Sequence, residues 1–345
     1  MCNSQKKLDL LYKNIKGHEI NKEKIESKIH SEFSSAKIVD YKDKVGRLKI
    51  ESLVFESDGN YYTIPLKTKD ELLELNRKKN NDKLLGINII KNANVPILPY
   101  VSGKLTRNLI EKSNCVEEYE KAYTMDYMVS QVYSVYYGIE EFKDVQSIII
   151  ESIEDFQLEK YASAISLIMS LIEGISRKYC KNKGIIFNER SSINVFKNLL
   201  RNRMSFYIDN VLLYDFSISR KYIIPTEFKY KEGSYQALSE LLLYYDECLN
   251  IIYSFYNYGT DYLYENNSEY ELNRHSIYHG INKEYCTKVN FYRLFSCLEC
   301  LSFAISLEPL GNINGISREL NPLYMKTIMR LEHWKYALDN LNKNY

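Results

Sequence analysis

Glu271-Leu-Asn-Arg-His-Ser-Ile-Tyr-His-Gly280 is followed closely by Asn290-Phe-Tyr-Arg-Leu-Phe-Ser-Cys-Leu-Glu-Cys-Leu-Ser-Phe-Ala-Ile305, whose apolar residues recur at helical spacing. The first stretch gathers two of the chain's five histidines with an arginine and an asparagine. The Asn266-Asn267-Ser268 cluster before it and Gly280 after it predict a short helical piece between loops. No other segment collects so many groups able to bind a phosphate or move a proton.

On a regular helix His275 and His279 share a face, whereas Arg274 lies roughly 140° around the axis from His279. Both groups meet one ligand only if the turn is irregular or the long arginine reaches around. Their chemistry is complementary. A guanidinium is a permanent cationic fork that matches two phosphate oxygens. An imidazole takes or gives a proton near neutrality. Internal cleavage of RNA needs a base for the 2'-OH, an acid for the leaving 5'-oxygen and a cation on the phosphorane oxygens. His279 is the principal proton-transfer group of one chain and His275 its helper. A symmetric dimer supplies two of each.

The Arg274-His275-x3-His279 pattern resembles the Arg-x(4 to 6)-His signature of the HEPN superfamily (higher eukaryotes and prokaryotes nucleotide-binding domains). The wider Asn-Arg-His-x-Ile-x-His-Gly string, ahead of a Leu/Phe-rich helix, is similar to a bacterial branch of abortive-infection and toxin-type ribonucleases. A second segment, Tyr161-Ala-Ser-Ala-Ile-Ser-Leu-Ile-Met-Ser-Leu-Ile-Glu-Gly-Ile-Ser-Arg-Lys-Tyr179, looks like the family's early helix carrying an Ile-Glu pair. The resemblance covers about residues 155–310. It implies an antiparallel helical bundle that dimerises, and a metal-independent, cofactor-free endoribonuclease leaving a 2',3'-cyclic phosphate. It implies Arg274 on the scissile phosphate, His279 as general acid or base, His275 in the polar slot after the arginine, and Asn273 and Glu173 in support. An RNA substrate and an antitoxin or defence-system partner follow from the same likeness.

Two other readings of these residues stand beside it. The histidines can be a structural pair on a polar helix face, which makes the domain a catalytically silent binding module. Alternatively His275-x3-His279 and Cys297-x2-Cys300 supply four ligand types that zinc accepts. Against zinc, Leu294, Cys297, Leu298, Leu301 and Ile305 form one apolar stripe, in which free cysteines act as small hydrophobes.

At 345 residues the chain has room for one large or two ordinary domains. It is 45% hydrophobic and 26% charged with only 13 glycines and 6 prolines, the composition of a mainly α globular protein. A formal charge of +1 excludes whole-molecule attraction to nucleic acid, so RNA contacts must be local. The candidates are Arg177, Lys178, Lys181 and Lys183 around the end of the hydrophobic helix, and Arg201 and Arg203 at the end of the next. Many of the 32 tyrosines fall in this half, and stacking bases on them is a lesser use than packing. Seven scattered cysteines, an odd number, make no disulfide framework. The N-terminus lacks an apolar h-region and nothing resembles a membrane span, so a cytoplasmic protein is expected.

Residues 1–140 are expected to form a smaller α+β region, and 141–345 the helical bundle. In the first, Leu48-Lys-Ile-Glu-Ser-Leu-Val-Phe55 and Tyr61-Tyr-Thr-Ile-Pro-Leu66 flank Ser57-Asp-Gly-Asn60, which predicts a hairpin. Residues 69–80, 105–112, 116–137 and 142–156 read as helical, and 95–100 as extended because two prolines deny it helix. Residues 160–180, 193–203, 234–256, 289–306 and 321–342 read as helices of the bundle, and 207–231 as an irregular excursion. The last helix, which holds the only tryptophan, Trp334, reads as a packing or dimer element, and His333 on it as structural.

Overall fold

The structure is a computed structural model that describes residues 3–16, 21–46, 50–68, 70–72, 74, 116–186, 192–215, 217–228, 252, 256, 261–264, 272–307 and 322–343. It is mainly helical, with 68% of the described residues in helices, and it carries a five-stranded sheet. The chain divides into two compact units, one of Met1–Leu85 with Met204–Tyr253, the other of Gly86–Arg203 with Ser254–Tyr345.

In the first unit, helix α1 (Asn3–Ile15) buries Leu8, Leu11, Tyr12 and Ile15 on one face. Helix α2 (Lys22–Glu32) is started by Asn21, whose side chain accepts from the Lys24 N–H, and buries Ile25 and Ile29. Strands β1 (Lys37–Val45), β2 (Ile50–Ser57) and β3 (Asn60–Pro65) are antiparallel neighbours. The expected hairpin is β2–β3, closed by Asp58 (φ 50°) and Gly59 (φ 74°) between the paired Ser57 and Asn60. Positive φ at both central residues is what a two-residue type I′ turn demands, and Asp-Gly meets it. Phe33, Phe55 and Tyr62 pack ring to ring at 4.9–5.2 Å beneath the sheet. Strand β1 is an outer strand, mostly solvent-facing and lysine-rich, and its pairing with β2 slips in register twice.

The sheet is completed by β4 (Tyr214–Asp215) and β5 (Arg220–Ile223), in the order β1-β2-β3-β5-β4, with β5 parallel to β3. This corrects the reading of 207–231 as wholly irregular. Strands of two and four residues are too short to show a period in sequence. It also explains why the first unit, Met1–Leu85, takes in Met204–Tyr253 and the units do not follow a single cut at residue 140: the returning segment joins the N-terminal residues by strand pairing. Gly46 (φ 53°) sits where a Cβ would come within 2.3 Å of the Leu212 carbonyl oxygen, so only glycine fits that approach.

The second unit is helical in its described residues. It comprises α3 (Val116–Ala122), α4 (Met125–Ser130), α5 (Glu140–Lys143), α6 (Gln146–Gln157), α7 (Tyr161–Asn182), α8 (Ser192–Tyr207, as far as Arg203), α9 (Asp261–Tyr264), α10 (Arg274–Tyr278), α11 (Lys288–Ser306) and α12 (Pro322–Lys343). The expected long helix over 116–137 is broken at Thr124, which caps α4 by accepting from the Tyr127 N–H, and ends in a π-turn at Gln131–Val135. The expected elements at 95–100 and 105–112, and most of 69–80 and 234–256, lie outside the described residues.

Helix α7 follows its apolar period: Ile165, Ile168, Met169, Ile172, Ile175 and Tyr179 are buried, and the helix packs on α6 and α11. Each such aliphatic side chain is worth roughly 1.5–3 kcal/mol on burial. Helix α11 is buried nearly all round, the signature of a central helix. Phe291 on α11 stacks on Phe156 of α6 at 4.1 Å, and the Ser152 hydroxyl of α6 donates to the Ala164 carbonyl of α7. Helix α12 attaches through Tyr324, Thr327 and Leu331. No helix among the described residues is long and apolar enough to cross a membrane.

Candidate functional site

The motif folds as the short helix α10. Asn273 is its N-cap: the side chain accepts from the Ser276 N–H at 3.0 Å and is itself buried. The helix stops after Tyr278 because Gly280 takes φ 68°, and the Ile281 N–H turns back to the Ser276 carbonyl at 2.8 Å. Ser276 and Ile277 face inward, which leaves Arg274, His275, Tyr278 and His279 to the outside.

Arg274 leans onto α7. Its Nη2 meets the Glu173 carboxylate at 2.6 Å, and Glu173 also binds Arg177, which lies at i+4 on the same helix, at 2.9 Å. The Glu173 side chain is only 14% exposed and that of Arg274 35%, so the pair is partly withdrawn from water and more than a solvated surface contact. One carboxylate against two guanidiniums leaves the trio formally positive. The Arg274 Nε is buried without a protein hydrogen-bond partner. Tyr264 of α9 is half-buried near the trio: burial first, then the Glu173 charge, drives its phenol pKa up, while Arg274 opposes the rise. It therefore stays a neutral phenol.

The two imidazoles share a face as the spacing predicts. Their ring centroids are 4.2 Å apart and both residues are exposed. Arg274 and Tyr278 occupy the adjacent face, with the guanidinium 5.1 Å over the Tyr278 ring. The cation and the histidine pair thus belong to one short helix, on adjacent faces, with Arg274 partly buried against Glu173 and the histidines exposed. A cationic fork and groups that can exchange protons are the residue types that cleavage of a phosphodiester uses.

The other expected residues divide. Arg177 joins the site through Glu173. Lys178 is turned to Asp144 (2.6 Å) and the Glu140 carbonyl, Lys183 lies over the Tyr179 ring, and Lys181 is exposed. Arg201 donates to Asn198 and to the Tyr256 hydroxyl. Arg203 is a correction. It is 1% exposed, with its guanidinium donating to the carbonyls of Ala304 and Leu307 and to the Tyr179 hydroxyl. There it neutralises the carbonyl end of α11 and cannot meet an RNA backbone.

The structure does not bring the four residues of the alternative zinc reading into one set. Cys297 and Cys300 are buried in α11 while His275 and His279 are exposed, and the described residues hold no group of three or more His, Cys, Asp or Glu fit for a metal. The apolar stripe explains it: the cysteines pack as hydrophobes, and burial pushes the Cys300 thiol well above its usual pKa.

Two features escaped the sequence reading. The stacking of Tyr278 on Arg274 was readable from their i, i+4 spacing. The second is Glu299 on α11, wholly buried, its carboxylate accepting from the hydroxyls of Tyr123 (2.9 Å) and Tyr127 (2.7 Å). Burial raises its pKa from 4.5 to about 7, partly offset by those two hydrogen bonds. No sequence signal marks it, because a glutamate in a helix reads as solvated by default.

Comparison of the chain with known protein families, with curated proteins and with solved structures finds no match in any of the three.

Proposed function

We propose that this protein is a metal-independent endoribonuclease of HEPN type, with α6, α7, α10 and α11 as the frame of an antiparallel bundle. In this reading Arg274 binds the non-bridging oxygens of the scissile phosphate. One imidazole of the His275–His279 pair takes the 2'-OH proton as the 2'-oxygen attacks phosphorus. The P–O5' bond breaks, and the leaving oxygen receives a proton from His279 or from its counterpart in a second copy of the chain. The products are a 2',3'-cyclic phosphate and a 5'-hydroxyl. Two copies facing one cleft complete the site. A toxin or phage-defence effector of the cytoplasm, restrained by a partner protein, is the setting such an activity suits.

The observation that supports this reading is that one short helix carries both a guanidinium held by Glu173 and an exposed histidine pair 4.2 Å apart. The test is cleavage of single-stranded or transfer RNA by the purified protein in EDTA. Arg274→Ala and His279→Ala each abolish cutting while circular dichroism stays unchanged; undiminished cutting by either variant refutes the assignment.

One observation favours a second reading, a catalytically silent binding module: Arg274 already has a carboxylate partner at 2.6 Å. Growth on expression separates the two. Toxicity that vanishes in His279→Ala supports the nuclease, and growth unaffected by either form supports the module.

A further inference from the structure

We infer that Tyr278 is a stacking platform for one unpaired base of the substrate, so that the site takes single-stranded or flipped-out RNA and rejects paired RNA; the inference rests on the ribonuclease reading above. Tyr278 is held at both ends. The Arg274 guanidinium lies 5.1 Å over its ring, and its hydroxyl donates to the Ser166 carbonyl of α7 at 3.0 Å. A ring so tethered would ordinarily be covered, as Phe291 and Tyr292 are on the neighbouring α11. Tyr278 is instead 45% exposed.

Its hydroxyl is occupied within the protein and burial raises the phenol's pKa. Proton transfer is therefore not its task, and what it offers to a ligand is its ring. Its position is next to both chemical groups of the site: the Arg274 guanidinium lies 5.1 Å from its ring centroid and His279 follows it in the chain. A base laid on the exposed ring extends the guanidinium–phenol stack and brings its own phosphate towards Arg274. Because every base has a π-face, such a platform selects for accessibility and not for sequence. In a duplex both faces of each base are already stacked, so the contact requires an unpaired nucleotide.

The test uses a fluorescein-labelled single-stranded 2'-O-methyl RNA, which lacks the attacking hydroxyl, with an abasic residue walked along it. Binding is read by fluorescence anisotropy on the full chain. For the wild type, removal of one particular base weakens binding about tenfold, and pairing the strand with its complement does the same. In Tyr278→Ala the intact strand binds about tenfold more weakly, and removing that base then costs nothing more. Tyr278→Trp, which keeps the π-face, retains wild-type affinity. A Tyr278→Ala variant that binds like the wild type overturns the inference. So does one whose loss simply adds to that of the abasic residue, since that shows a structural role alone. If the wild type cuts RNA but either result is obtained, stacking fails and the nuclease stands. If the wild type neither binds nor cuts RNA, both fall.

Discussion

Glu173 on α7 and Glu299 on α11 are both drawn into the helical unit, and their surroundings differ in kind. Glu173 sits between two guanidiniums and keeps a window to solvent. Glu299 has no window, and two tyrosine hydroxyls are its side-chain hydrogen-bond partners. A carboxyl beside cations is useful in its charged form, because it aims them. A carboxyl beside hydroxyls in a dry interior is better off holding its proton. The first arrangement suits a working surface and the second an internal fastening. The two residues therefore respond oppositely to mutation.

The largest expected effect belongs to Glu299. With its pKa raised from 4.5 to about 7, the folded chain keeps a proton that the unfolded chain has already released, so stability falls as pH climbs through that window and levels off above it. The cost at pH 8 is about 3 kcal/mol. Glu299→Gln removes the titration: it gains most of that stability at pH 8 and little at pH 4, as urea titrations across the range would read. Equal pH slopes in variant and wild type break the comparison. Next comes Glu173→Ala, which leaves two partly buried guanidiniums facing each other; we expect a loss of about 2 kcal/mol, reduced by solvent screening, and, under the proposed nuclease reading, RNA cleavage lower by about tenfold as Arg274 loses its orientation. A variant as stable and as active as the wild type would show that Glu173 aims nothing. The smallest effects sharpen the geometry of the motif itself. Asn273→Ala removes the cap of α10, and Gly280→Ala places a side chain at φ 68° where no neighbour crowds it. Each should lower stability by about 1 kcal/mol, measured by thermal melts.

Much of the helical unit was legible from spacing alone. The stripe of α7 and that of α11 repeat at the helical period over enough turns to be unmistakable, and Asp58-Gly59 announces its turn by chemistry. The sheet was legible only in part. β5 pairs with β3 across a very long sequence separation through two residue pairs, and no local pattern encodes such a partner. The candidate site was legible as a motif, and Glu173 was flagged with it, but their 2.6 Å contact depends on how α7 and α10 are packed. Arg203 shows the limit most sharply. A charged side chain at a helix end reads as wet, and only tertiary structure reveals that the carbonyl end of another helix claims it.

The irregularity of β1 has a bearing on solution behaviour. An exposed sheet margin is a template on which foreign strands can polymerise. Here an incoming strand would meet Lys37, Lys42 and Lys44 and two interruptions of the hydrogen-bond ladder. The opposite margin, β4, is two residues long and offers almost nothing to copy. Among the described residues, both outer strands of the sheet are thus poor templates for an added strand.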